Sequence, residues 1–149
     1  MELAHEFTVA VPVEQAWDVL TDVARIAPCM PGAVLTEVDG GTYHGQVKIK
    51  VGPITAQYKG TASFAEKDEA ARRVVLKASG RDTRGQGTAS ATVTAAMAEE
   101  AGSTTVSIVT DLSVSGRVAQ FGRGDMADVS ARLLEQFVHN LEADVLARR

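Results

Sequence analysis

The stretch "LAHEFTVAV" sets Leu3, Phe7, Val9 and Val11 on alternate positions of one face, the period of a strand with one side buried. Pro12 follows, and in "VEQAWDVLTDV" the residues Val13, Trp17 and Leu20 recur at helical spacing, so a short helix starts just after the proline. "ARIAPCMPGA" breaks that pattern with two prolines and a glycine and predicts a loop or a short broken helix. From Val34 onward the alternation returns in "AVLTEV", "TYHGQVKIKV", "ITAQYKGTASFAEK", "RRVVLKASGRD", "GQGTASATVTAAMAEE" and "STTVSIVTDLSVSG". The breaks "DGG", "GP", "DEA", "DTRG" and "EAGS" are short and rich in turn residues, which predicts antiparallel hairpins in a meander. No helical insert is present that would make parallel crossovers.

Over residues 117–147 the period lengthens, with Val118, Phe121, Met126, Val129, Leu133, Phe137, Leu141 and Val145 along one side of a single long helix. Such a helix is about 46 Å long, against a diameter of about 38 Å for a compact domain of this size. It therefore crosses the whole molecule. The expected architecture is α+β: one domain over residues 1–149, with two short helices after the first strand. A seven-stranded antiparallel sheet curves around the C-terminal helix, so that each buries the other's apolar face. This order of elements resembles that of the helix-grip fold.

Alternate residues give the inward faces. The fourth strand turns Ile54, Ala56, Tyr58, Gly60, Ala62 and Phe64 inward; the fifth, Val74, Leu76, Ala78 and Gly80; the sixth, Gly87, Ala89, Ala91, Val93, Ala95 and Met97. Opposite faces such as Thr55, Gln57, Lys59, Thr61 and Ser63 belong in water. The concave side is thus apolar but largely methyl-sized, and interiors normally pack to crystal density. Either the helix lies close enough to the sheet to fill the space, or an apolar pocket of the kind used for small molecules remains. The pocket is the expectation. Strand alternation and helix phase then name its ligand-binding residues: Met30, Tyr43, Val47, Tyr58, Leu76, Ala89, Ala91, Val93, Ile108, Leu112, Phe121, Met126, Val129 and Leu133. Pro31, Gly32, Gly122 and Gly124 are expected at its portal. Gly116, Gly122 and Gly124 weaken the start of the long helix, either as a doorway gated by Phe121 and Met126 or as a close-packing kink.

Composition sharpens this picture. Aromatic residues make up only 5% of a chain that is 45% hydrophobic, so large rings are scarce as core filling. A net charge of −4 argues against a nucleic-acid partner. One cysteine, Cys29, leaves no internal disulfide and fits a reducing compartment. The start "MELAHEFTVAVP" lacks the pattern of a signal peptide, and no run approaches 18 apolar residues, so the expected location is cytoplasmic.

Chemical motifs are mostly missing. "GQGTAS" and "GRGD" have neither the third glycine of a dinucleotide fingerprint nor the lysine of a phosphate loop. His5, His44 and His139 have no ligand spacing, and Cys29 no neighbour to complete a zinc site, so no metal is expected. His44 reads as a surface residue, His5 as a satisfied core histidine and Asp111 as an outward carboxylate. No nucleophile elbow or Ser/His/Asp set can be assembled, and no catalytic residue is assigned. Arg72, Arg73, Lys77, Arg81 and Arg84, with Lys48, Lys50 and Lys59, form either a docking surface or an ordinary solvated sheet face.

"IAPCMPGA", "VGPITAQYKGTA" and above all "GRVAQFGRGDMADVSARLLEQFVHNLE" resemble the carbon monoxide dehydrogenase G-subunit family of the START-like (SRPBCC) helix-grip superfamily. The resemblance implies a non-catalytic accessory protein of a molybdenum-containing carbon monoxide dehydrogenase or related hydroxylase. It also implies peripheral contact with the inner face of the cytoplasmic membrane, and a link between that enzyme and the respiratory quinone pool. The natural guest is then a non-covalently bound isoprenoid quinone, such as menaquinone, or another lipid. Family members often continue past the domain with a polar linker and a membrane-binding segment; this sequence ends at "VLARR". A cyclase or lyase on the same fold would need an acid–base pair in the cavity, for which only Tyr43, Tyr58 and His5 stand as candidates. A ligand-free scaffold or maturation factor is the remaining alternative.

Overall fold

The computed structural model describes residues 1–85 and 87–144. Strand β1 (Glu2–Val9) leads into helices α1 (Val13–Leu20) and α2 (Val23–Ile26) and a 3₁₀ turn, Ala27–Cys29. Strands β2 (Ala33–Asp39), β3 (Thr42–Val51), β4 (Ile54–Asp68), β5 (Arg73–Asp82), β6 (Thr88–Glu100) and β7 (Ser103–Val114) follow, then helix α3 (Arg123–Asp144). The strands form one antiparallel sheet in the order β1-β7-β6-β5-β4-β3-β2, so the meander is closed on one side by the N-terminal strand. This is the expected α+β helix-grip architecture.

The single helix expected over 117–147 is not what forms. Gly116, at φ +83°, turns the chain into a separate 3₁₀ turn, Arg117–Gln120, and Phe121 is extended. Helix α3 then starts at Arg123, where the Asp125 carboxylate accepts a hydrogen bond from the Gly122 N–H at 3.3 Å. Glycines at 122 and 124 hold the helix weakly, and the capping aspartate favours a fresh start. The described helix is 22 residues, about 33 Å. Val145 and the stretch 145–147, expected to continue it, lie outside the described residues.

Helix α3 is pinned near both ends. Arg123 Nη2 donates to the Glu2 carbonyl at 3.1 Å, and Asn140 Nδ2 donates to the Cys29 carbonyl at 2.9 Å. Its closest backbone approaches are to the turn Ala27–Cys29, β1 and β3, the flanks of the concave surface. Its apolar stripe therefore feeds two separate cores. Phe137 and Leu141 join Val9, Val11, Trp17, Val74, Met97 and Val106, while Met126 and Val129 join Leu3, Val51, Ala56, Tyr58 and Val118. Trp17 is the anchor of the first core, and α1 carrying it is held by the Glu99 carboxylate of β6, which accepts from the Val13 N–H at 2.7 Å.

Candidate functional site

Between the two cores the helix spans the sheet without filling the space beneath it. The strand register lays out the floor row by row. Gly45, Gly60, Gly80, Ala89 and Val114 form one transverse row; Tyr43, Ala62, Ala78, Ala91 and Leu112 form the next. Small residues on adjacent strands leave a cavity of about 390 Å³, within the ~300–1,000 Å³ usual for small-molecule sites. Ser130 and Leu133 of α3 face it from above, and Val23, Ala27, Ala33 and Leu35 border it on the α2–β2 side.

The glycines of the floor have a second cause. A Cβ on Gly60 would lie 1.9 Å from the Ser79 carbonyl oxygen, and one on Gly45 would lie 2.6 Å from that of Val34. These two positions are bare because the strands bend together there; Gly80 and the alanines leave the room.

Of the residues assigned to ligand binding from sequence, Tyr43, Val47, Tyr58, Ala89, Ala91, Leu112, Met126, Val129 and Leu133 line the cavity. Leu76 and Val93 are cross-strand partners on the concave face, one row further along, where Phe64 already fills the space. Ile108 and Met30 pack against the core around Trp17 and not into the cavity. Phe121 lies on the far side of the second core, its ring over Gly52. The portal residues are not brought to the cavity either. Pro31 and Gly32 border an adjoining groove with Lys48, Lys50 and Arg132, which shares Ile49, Val129 and Leu133 with the cavity, and Gly32 is glycine because its φ of +80° and the Lys48 carbonyl leave no room for a side chain. Gly122 and Gly124 are exposed at the helix start. Met126 is buried and lines the cavity, whereas Phe121 does not.

Several lining residues lie outside that assignment. Gly45 and Thr110 were legible, since they alternate in phase with Tyr43 and Leu112. Val23 and Ala27 carry no such signal, because the broken helix they occupy has no usable period.

The inward-facing side chains of the lining are apolar apart from a few hydroxyls, Tyr43 and Tyr58 with Thr110 and Ser130, while Gln46, Thr61, Ser79 and Ser90 border it from outward register positions. Tyr43 packs edge-on against Phe64, ring centres 6.4 Å apart. Tyr58 is buried, and its hydroxyl has no hydrogen-bond partner among the described residues. Burial, and then the charge of the neighbouring Asp82, push its phenol above the usual tyrosine range. It is therefore a hydrogen-bond donor at any ordinary pH. His44 contributes only backbone, since its side chain is on the outer face by register. His5 is on the concave face opposite Ile108, in the packed half, and its buried Nε2 finds no partner among the described residues, so it is not the satisfied histidine expected. Among the described residues no three His, Cys, Asp or Glu side chains gather closely enough to hold a metal, and no helix is long and apolar enough to cross a membrane.

Solved structures share this fold across nearly the whole chain. A conserved protein from Geobacillus kaustophilus superposes with a TM-score of 0.86 at 17% identity, covering 99% of this chain and 96% of its own. A START superfamily protein from Mycobacterium smegmatis gives 0.66 at 12% identity, covering 99% of both. The ZhuI aromatase/cyclase from Streptomyces sp. R1128 gives 0.59 at 16% identity, covering 96% of this chain and 90% of its own. At these identities the likeness is one of fold alone. Among curated proteins none matches the sequence. The family model of the carbon monoxide dehydrogenase G subunit (CoxG) matches residues 6–146, nearly the entire chain. The chain belongs to the CoxG family, that of the carbon monoxide dehydrogenase G subunit.

Proposed function

We propose that this protein is a non-catalytic accessory subunit of a molybdenum-containing carbon monoxide dehydrogenase or related hydroxylase. It carries an apolar ligand, an isoprenoid quinone such as menaquinone, between the cytoplasmic membrane and that enzyme. Family membership supports the association with the dehydrogenase. The observation that carries the ligand reading is the unfilled apolar space of about 390 Å³ between two well-packed cores. An empty apolar cavity costs stability, and a guest that fills it recovers the lost contacts while leaving water.

The volume is that of about 13 water molecules in the liquid. That is room for a bicyclic head group and the first part of a tail, so a long isoprenoid chain must leave through the mouth. Tyr58 supplies a protonated hydroxyl for a ring carbonyl, and Tyr43 offers a second. An enzymatic role, as the name of the ZhuI aromatase/cyclase invites, needs an acid–base pair in the cavity. The side chains here are hydroxyls and hydrocarbon, which favours carriage.

Native mass spectrometry of the purified protein, followed by organic extraction, tests the proposal. A stoichiometric isoprenoid quinone supports it. Another lipid keeps the cavity's role and removes the quinone. An empty protein that also refuses added quinone supports the ligand-free scaffold instead.

A further inference from the structure

The convex face of the sheet is electrically divided. On β3, β4 and β5 the register turns Lys48, Lys50, Lys59, Lys77 and Arg81 outward together, all exposed. The outward positions between them hold Gln46, Thr55, Gln57, Thr61, Ser63 and Ser79, so no carboxylate intervenes. Acidic residues begin only at the borders, with Glu37 on β2 and Glu66 beyond the β4 bulge, the latter held by Arg73. Across the hydroxyl-bearing outer face of β6, the β7–β1 side carries Asp111, Glu2 and Glu6. Among the described residues none of the five cations is in an ion pair.

Lys59 and Arg81 are direct cross-strand partners. Like charges so placed destabilise a sheet, and the chain is not short of carboxylates, with 19 acidic residues against 15 basic. A costly positive pair in a net-negative protein points to a requirement for positive charge at that spot.

We infer that the convex face of β3–β5 docks onto an acidic surface of a partner protein. The inference rests on the proposed dehydrogenase association for the partner's identity, and goes beyond it in naming the face. Apart from the lone imidazole of His44, the outward positions carry no aromatic or long apolar side chain to enter a lipid interface or to stack on bases, which disfavours a membrane or a nucleic acid. Two convex faces touch over little area, which disfavours a second copy despite its acidic half. The cavity is on the other face of the sheet, so docking leaves it uncovered.

The test is binding of the full chain to immobilised dehydrogenase holoenzyme at about 50 mM and about 300 mM salt, where screening lengths differ roughly twofold. Wild-type affinity is expected to fall ~10-fold or more with salt, and Lys59→Glu/Arg81→Glu to weaken low-salt binding by at least ~10-fold. Lys59→Glu alone creates an opposite-charge pair, so its Tm should rise by ~1–2 °C while binding weakens; a misfolded variant cannot do both. If the double variant binds like wild type, the docking face is overturned and the partnership stands. If wild type fails to bind the dehydrogenase, the partner reading and the docking face fall together. If vesicles rich in phosphatidylglycerol capture wild type but not the double variant, the occupant is a membrane and the protein partner is overturned.

Discussion

Tyr58 and Asp82 face each other across β4 and β5, both buried, and Tyr58 lines the cavity. Asp82 spends one carboxylate oxygen on the Arg84 N–H at 3.0 Å, which closes the hairpin after β5. Burial raises the neighbouring phenol, which has no hydrogen-bond partner among the described residues, and the Asp82 charge beside it adds to the effect. A hydroxyl kept protonated by burial first and by the Asp82 charge second is thus presented to an apolar chamber.

The first expected outcome concerns that proton. The sequence has two tyrosines, so Tyr43→Phe leaves Tyr58 as the only phenol to titrate. Its ionisation, followed by phenolate absorbance, should be centred above the ordinary 10.0. Adding Asp82→Asn should lower the midpoint without returning it to that value, because burial, the larger cause, remains. A midpoint unmoved by the asparagine would mean that the charge does not reach the phenol.

The same shift sets a stability window. Below pH 10 folded and unfolded chains both keep the phenol protonated, and the Tyr58 contribution is constant. Above it the unfolded chain releases its proton first, so stability falls with rising pH until the folded phenol also ionises. Denaturant titrations from neutral to alkaline pH should show wild type losing more stability than Tyr58→Phe. Equal losses would assign the alkaline sensitivity to other groups.

Tyr58→Phe should also separate recognition from volume. With no hydrogen bond to lose in the free protein, stability at neutral pH should change little. Affinity for a short-tailed naphthoquinone should fall ~2–10-fold, the range of one hydrogen bond, with no change for a hydrocarbon of equal size. Calorimetry with both probes reads the difference, and a parallel loss for both would mean the hydroxyl acts through packing.

The two kinds of floor glycine should respond differently. Gly60→Ala drives a Cβ to 1.9 Å from the Ser79 carbonyl oxygen and should cost more than ~3 kcal/mol or leave the protein insoluble. Gly80→Ala brings its Cβ to 3.3 Å from the Tyr58 Cβ and 3.4 Å from the Lys59 carbonyl oxygen, contacts that a small shift relieves, and should stay within ~1 kcal/mol of wild type by urea unfolding. Comparable losses at both would remove the distinction between curvature and space.

Period alone carried the strands, since alternation through Thr88–Glu100 or Ser103–Val114 has one buried solution. The inward faces followed from it, including the small residues of β4, β5 and β6. What period could not give is where a helix rests. Whether Leu76 and Ile108 face a cavity or a core depends on α3 being pinned at Glu2 and Cys29, contacts more than a hundred residues apart in the chain. The helix start was misplaced for a local reason. Val118 and Phe121 continue the apolar stripe, but Gly116 and Gly122 break the backbone beneath it. The close approach that forces glycine at position 45 is a bend between strands, invisible to any pattern along one of them.

The final expected outcome tests whether the space itself is functional. Ala91 lies between Ala78 and Leu112 on the cavity floor, so Ala91→Phe puts a ring into vacant volume. Filling a cavity restores lost contacts, and the variant should keep or raise its Tm while ligand uptake falls at least ~10-fold. Ala16, 1% exposed beside Trp17 in the packed core, offers no such room. Ala16→Phe should cost ~1–3 kcal/mol or more through forced displacement of its neighbours. If the two variants are equally destabilised, the floor is packed like the core and no chamber exists. If Ala91→Phe is stable and still takes up ligand at the wild-type level, the ligand binds elsewhere. A stable, empty Ala91→Phe that still binds the dehydrogenase would separate carriage from docking in one protein.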